Sequence, residues 1–324
     1  MTEPFLIAER LVKDYPVSRG FFGRTHSVLH AVDRVSFSVT KGETLCLVGE
    51  SGCGKSTVAR LLMRIVEPSG GRIIIDDTDI TRLEKAALRP WRRRVQMVFQ
   101  DPYSSLNPRL TAAQIVTEPI ENFRSLRRSE RDQLAASLLE QVGLRPESLH
   151  RLPAEFSGGQ RQRLGIARAL SLGPDMIIAD EPVSALDVSV QAQILNLLLE
   201  LQERTGVALL FISHDLGVVE HIAHRVAVMY LGRIVEIGPS EVIFARPRHP
   251  YTEALIAAAP VPDPDREPPK RPIEGEVPSP VNPPGGCYFH PRCPLAIARC
   301  RVEEPLLTEL PGNQRVACHV RAPA

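Results

Sequence analysis

The sequence predicts an α/β fold with a mixed, mostly parallel β-sheet core, an inserted helical subdomain and a small cysteine-containing C-terminal extension. Three observations predict it. Apolar, β-rich runs at residues 5–12, 32–39, 44–48, 72–75, 95–99, 176–179, 207–212, 225–231 and 233–237 are interspersed with helical candidates at 55–65, 191–204 and 216–223, the pattern of a doubly wound sheet. Residues 101–172 interrupt that pattern with helical segments such as 129–142 and 160–171 and no convincing strand. After about residue 245 the composition changes.

Taken in order, several of the strand runs are continuous rather than alternating, which is expected of strands covered on both faces. Within the helical insertion, Ser129-Glu130-Arg131-Asp132 reads as a helix start, a serine cap with an acid three positions on. Residues 247–284 hold twelve of the 29 prolines, so they read as an extended connector rather than a long helix or an interior strand. Four of the six cysteines follow. The expected organisation is therefore a domain at 1–245, with its helical subdomain at about 101–172, and a connector plus four-cysteine domain at 246–324.

Composition narrows the class without naming an activity. Hydrophobic residues make up 43 % and charged residues 24 % of 324, the balance of a globular protein with a sizeable core. No run of eighteen apolar residues occurs, and Glu3, Glu9 and Asp14 interrupt the start, so neither a membrane span nor a secretion signal is expected. A formal charge of +1 provides no global field to collect nucleic acid or anionic lipid. Arg92-Arg93-Arg94 and Arg124, Arg127, Arg128 and Arg131 read as solvated faces, with no aromatic interleaving of a nucleic-acid groove.

The chemistry is carried by motifs. Gly49-Glu50-Ser51-Gly52-Cys53-Gly54-Lys55-Ser56-Thr57 matches G-x-x-x-x-G-K-[ST] between an apolar strand and a helix. Its glycines let backbone N–H groups converge on phosphate oxygens, and the helix directs its positive end at them. Lys55 suits the β- and γ-phosphates and the Ser56 hydroxyl suits Mg²⁺. Downstream, Met176-Ile177-Ile178-Ala179-Asp180-Glu181 is a strand ending in two acids. Asp180 is placed to hold Mg²⁺ through water, and Glu181 to orient or deprotonate an attacking water. Tyr15 is the candidate for stacking on adenine, with Phe21 and Phe22 as competitors and a sheet-edge packing role as the alternative.

Phe156-Ser157-Gly158-Gly159-Gln160 closely resembles the signature of ABC-type ATPases, a branch of the P-loop NTPases, and the other motifs follow that family's order. Gln100 resembles its glutamine-loop residue, Ser184-Ala185-Leu186-Asp187 its D-loop, and Ile212-Ser213-His214-Asp215 its switch-histidine segment, over about residues 5 to 245. The resemblance implies a head-to-tail dimer closing on two ATP molecules, the signature of one subunit completing the phosphate site of the other. It also implies that His214 contacts the γ-phosphate and that Gln100 senses Mg²⁺ and water. Gln100 would then pass nucleotide state through residues 101–108 to a membrane-spanning partner. The catalytic set is then Lys55, Gln100, Glu181 and His214, with Ser56, Gln100 and Asp180 around Mg²⁺.

Cys287, Cys293, Cys300 and Cys318 lack a C-x-x-C knuckle, and their spacing leaves both zinc and an iron–sulfur cube open. His249-Pro250-Tyr251-Thr252-Glu253-Ala254-Leu255 and Pro278-Ser279-Pro280-x-x-Pro283-Pro284 resemble the C-terminal extension of dipeptide and oligopeptide importer ATPases. Members of that group carry a four-cysteine [4Fe–4S] site. The resemblance implies an ATP-hydrolysing translocase subunit, peripheral on the cytoplasmic face of a bacterial inner membrane. Its partners would be a second ATPase subunit (a heterodimer), two transmembrane permeases and an extracytoplasmic peptide-binding protein, with no nucleic acid. Alternatives are another cargo such as glutathione or a nickel chelate, or a soluble ABC ATPase acting on DNA or ribosomes. The DNA-acting class usually has a coiled coil where only about a hundred residues separate Gly54 from Ser157. The ribosomal class usually carries two cassettes.

Overall fold

A computed structural model describes residues 3–19, 25–259 and 275–322. In chain order the first elements are β1 (Pro4–Arg19), β2 (Thr25–Thr40), β3 (Thr44–Val48), α1 (Lys55–Leu62), β4 (Gly70–Ile75) and β5 (Thr78–Asp79). They are followed by α2 (Lys85–Arg94), β6 (Val95–Val98), α3 (Pro102–Ser105), α4 (Ala112–Glu121), α5 (Arg128–Gln141) and α6 (Gly158–Leu170). Next come β7 (Met176–Asp180), α7 (Val188–Thr205), β8 (Ala208–Ser213), α8 (Leu216–Ile222), β9 (Arg225–Tyr230) and β10 (Arg233–Pro239). The chain ends with α9 (Ser240–Ala245), α10 (Pro250–Ala258), α11 (Ala298–Val302), β11 (Thr308–Leu310) and β12 (Gln314–Val316). Met1–Val39, Thr44–Arg82 and Ser213–Ala324 make one compact unit, and Thr40–Glu43 with Leu83–Ile212 another.

The first unit contains an antiparallel sheet in the order β2-β1-β4-β5. Asp76 and Asp77 both take left-handed φ, 48° and 62°, which closes β4 on β5 as a two-residue hairpin whose twist matches the strands. A second set of strands runs β11-β12-β10-β9-β3. β3 pairs parallel with β9, while β10 is antiparallel to both β9 and β12, so strand direction is mixed as the sequence predicts. β3 is buried along its whole length, and each apolar side chain removed from water there contributes about 2 kcal/mol before the entropy of ordering is charged against it.

In the second unit β8, β7 and β6 are parallel neighbours, and every residue of β7 is buried. Residues 101–172 carry four helices and two short 3₁₀ turns without a strand. There α4 packs on α5 and α6 through stripes such as Ala112, Ile115 and Val116, then Ala135, Leu138 and Leu139, spaced at three and four residues as one helix face requires.

Four details depart from the sequence reading. Helix α5 starts at Arg128, and its N-cap is Arg127 without a side-chain cap bond; Ser129 is already helical, and Glu130 in the first turn pairs with Arg124 at 2.5 Å. β1 and β2 extend to 16 residues each, past the apolar runs at 5–12 and 32–39 into segments of mixed polarity. Residues 250–258, expected as extended connector, form α10, since Pro250 occupies N1, where its missing N–H is harmless, and His249 caps the turn. The arginine runs are partly engaged: Arg94 bonds Asp175 at 2.6 Å and Arg131 bonds Glu121 at 2.5 Å, half-exposed pairs of the kind that add at most about 1 kcal/mol each.

Candidate functional site

In the first unit, buried β3 delivers the chain into the glycine loop. Gly54, the N-cap of α1, has φ +107°, and a Cβ there would lie 2.2 Å from the Ala31 carbonyl oxygen. Only glycine fits, and this residue turns the first N–H groups of α1 toward the loop. The Lys55 side chain is 4 % exposed and folds over the loop, donating from Nζ to the Gly49 carbonyl at 2.7 Å and the Glu50 carbonyl at 3.0 Å. Ser51 and Gly52 are exposed, and Ser56 and Thr57 are half-buried. Cys53 is buried, its thiol pKa pushed up by that burial, and its Sγ lies 3.9 Å from Lys55 Nζ.

Glu50 is held from the C-terminal segment. Its N–H donates to Tyr251 Oη at 2.9 Å, and its carboxylate accepts a two-pronged contact from Arg292, Nη1 to Oε2 at 2.9 Å and Nη2 to Oε1 at 3.1 Å. His214 lies exposed in the turn between β8 and α8, where Asp215 caps the helix by accepting from Gly217 and Val218. Tyr15 is half-buried near the outer end of β1, with the Lys13 ammonium 4.9 Å from its ring centre. Phe21 and Phe22 lie outside the described residues.

In the second unit β7 ends in the acid pair. Asp180 is 4 % exposed, while Glu181 leaves the strand with φ +46°, a left-handed conformation that a non-glycine residue adopts at a cost of roughly 1–2 kcal/mol. Its carboxylate accepts from Gln100 Nε2 at 3.0 Å, and its carbonyl accepts from Ser184 Oγ at 3.1 Å. Sequence reasoning places Gln100 and Glu181 in one site but does not foresee that they touch.

Ser157 and Gln160 form a reciprocal cap at the start of α6: Gln160 N–H donates to Ser157 Oγ at 3.4 Å and Ser157 N–H to Gln160 Oε1 at 3.0 Å. The N–H groups of Gly158 and Gly159 have no carbonyl to meet within the helix. Gly159 is packed so closely that a Cβ would lie 2.4 Å from Val190 Cγ1. Phe156 is buried beneath, while Ser157, Ser184, Ala185 and Asp187 are exposed and Leu186 is half-buried. Two arginines that the motifs do not flag tie this helix to the segment after Gln100: Arg161 stacks on Tyr103 at 4.0 Å, and Arg168 Nη1 donates to the Ser105 carbonyl at 2.6 Å.

Residues 32–184 match the family described as ABC transporter, and residues 235–300 match the oligopeptide/dipeptide transporter C-terminal region. A probable peptide ABC transporter ATP-binding protein of Sinorhizobium fredii is 67 % identical over 324 residues, all of this chain and 92 % of that protein. The chain belongs to the ABC transporter family as an ATP-binding protein. The di/tripeptide transport ATP-binding protein DppF of Pseudomonas aeruginosa is 50 % identical, and the match covers 98 % of each chain. The oligopeptide transport ATP-binding protein AppF of Bacillus subtilis is 49 % identical, again over 98 % of each. A solved dimeric ATP-binding cassette in a post-hydrolysis state with ADP and Pi aligns with TM-score 0.65 at 29 % identity, over 72 % of this chain and 98 % of that one.

As an ABC ATPase the chain takes ATP with Mg²⁺. No described helix is long and apolar enough to cross a membrane. The expectation of a metal cluster finds less support. All four C-terminal cysteines are free thiols, and they lie close enough that the other three help raise the Cys287 pKa, which burial above all pushes to about 11. Yet among the described residues no group of three or more His, Cys, Asp or Glu side chains has metal-holding geometry. The donor type fits a thiolate site, and the four thiols are near neighbours without a metal-holding arrangement among the described residues.

Proposed function

We propose that this ABC ATPase energises import of dipeptides or oligopeptides across a bacterial inner membrane, peripheral on its cytoplasmic face. It would pair head to tail with a second, different ATPase subunit, and the pair would drive two membrane-spanning permeases fed by an extracytoplasmic binding protein. The names of the relatives and the matched C-terminal region support the cargo class. The observation that carries the ATPase site is Lys55, held over the Gly49 and Glu50 carbonyls at the head of a glycine-capped helix.

In this reading Gly49 to Thr57 cradle the phosphates, and Lys55 balances charge gathering on the γ-phosphoryl oxygens. Ser56, Asp180 and Gln100 are the residues that would hold Mg²⁺, which when bound would supply positive charge beside the phosphates. Glu181, oriented by Gln100, directs the attacking water, and His214 steadies the γ-phosphate. Ser157 to Gln160, with Phe156 as their buried anchor, serve the partner subunit's nucleotide, and Ser184 to Asp187 form the D-loop beside them. Tyr15 stacks on adenine. The domains are the ATPase at 1–245, its helical part at about 101–172, and the extension at 246–324.

The test is nucleotide retention and peptide uptake by the complex assembled with its permeases. Lys55→Ala should abolish both; a variant that keeps them overturns the site. For Cys287, Cys293, Cys300 and Cys318 the finer proposal is a [4Fe–4S] cluster, supported by the grouping of four thiols and by the resemblance, with zinc as the alternative. Anaerobic protein should absorb broadly at about 400 nm and contain iron; stoichiometric zinc, or no metal, rejects the cluster.

A further inference from the structure

Glu50 is the only acid in the nine-residue glycine loop, and three of its groups are engaged. Its carbonyl receives Lys55, its N–H donates to Tyr251 Oη at 2.9 Å, and its carboxylate is forked by Arg292 at 2.9 and 3.1 Å. Two of these three partners come from beyond residue 245 and fall within the 235–300 stretch that matches the oligopeptide/dipeptide transporter C-terminal region.

The holding side is rigid. Tyr251 is fully buried in α10, and its ring packs against Tyr230 at 4.7 Å and Phe289 at 5.4 Å. Arg292 ends the short turn His290–Arg292. Its side chain is 5 % exposed, against 26 % for Glu50, and Nη1 also reaches Tyr230 Oη at 3.5 Å. Its buried Nε has no hydrogen-bond partner among the described residues. A guanidinium held this deep with one N–H unpaired is not placed there for its own stability; what it gains is the paired carboxylate.

We propose that Arg292 and Tyr251 are positioning residues for the phosphate loop. The C-terminal extension fixes Glu50 and cancels its charge, and thereby sets how tightly the loop takes a nucleoside triphosphate. Glu50, Lys55 and Arg292 together carry one net positive charge; without Arg292 they carry none, and a loose carboxylate faces incoming phosphates. Tyr251 controls the backbone of the same residue, so the two contacts act on loop shape and loop charge separately. This inference rests on the reading of the loop as an ATP site.

The experiment is titration of the full chain with a fluorescent Mg-ATP analogue, with thermal unfolding of each variant measured in parallel. Arg292→Ala should weaken binding about tenfold, and Tyr251→Phe, which keeps the ring, about threefold. Adding Glu50→Gln to Arg292→Ala should restore most of the lost affinity, because the repelling charge is gone; a merely structural role gives no such rescue. Unchanged affinity in both single variants, or additive losses in the double variant, overturns the inference. If Arg292→Ala fails to fold, Tyr251→Phe and Arg292→Lys decide it, the lysine recovering charge but not the fork. Lys55→Ala separates the two levels: binding that survives it removes the ATP site itself, whereas binding lost there but untouched in the Arg292 and Tyr251 variants removes only the role of the extension.

Discussion

Glu181 combines a left-handed backbone with a hydrogen-bonded carboxylate, at φ +46° and 3.0 Å from Gln100. Neighbouring Asp180 sits in regular strand and is almost fully buried. One turn of the chain thus separates two acids into different roles, one fixed at the strand end and one presented off it. Replacing Glu181 by Gln keeps an oxygen for Gln100 to donate to but removes the carboxylate proposed above as the base. ATP binding is expected to persist while phosphate release in the assembled complex falls by about a hundredfold or more. Near-normal turnover would contradict the assignment of the base.

Among the elements, α10 is the one whose stability should respond to acid. His249 is 1 % exposed; its ring Nδ1 accepts from the Tyr251 N–H at 3.1 Å, and Phe289 packs at 5.7 Å. Burial lowers its pKa from 6.5 to about 3. The folded state therefore prefers the neutral ring: its stabilisation is full above pH 6.5 and is lost as pH falls from there toward about 3. Glu236, which accepts from the backbone N–H of Arg248 and His249 and from the Gln314 amide, faces the same turn. Burial raises its pKa above 4.5, so its contribution runs the other way, full in acid and lost as pH rises. Comparing the unfolding midpoint of the parent chain with His249→Gln across pH isolates the histidine. The parent should lose ground relative to the variant as pH drops below 6.5; parallel curves would refute the assignment. At the head of α6, by contrast, the Ser157–Gln160 cap keeps the helix start formed while Gly158 and Gly159 present bare backbone, a surface that needs no side chain to meet an anion.

At the scale of the whole molecule, what the sequence made legible was whatever local chemistry dictates. The glycine loop, the acid pair and the order of motifs follow from short stretches whose backbone has few alternatives, and the continuous apolar runs lie in β3, β7 and β8, buried throughout. What it concealed was non-local or a matter of competing caps. Arg292 meets Glu50 across 242 positions, and no period or spacing announces such a pair. Ser129 looks like a cap, yet the helix begins one residue earlier, because a serine followed by acids is equally at home inside a first turn. Proline-rich composition disguised α10, where the proline serves as an initiator.

Glu236 and Ile237 on β10 are registered with Val316 and Arg315 on β12, and β12 in turn carries only the three-residue β11. Strands β12 and β11 thus act as a selvedge: β12 occupies the amide and carbonyl row that β10 would otherwise display, and β11 edges it with a strip too short to recruit another copy. A version trimmed back to the cassette would fray there, offering a raw border to its neighbours.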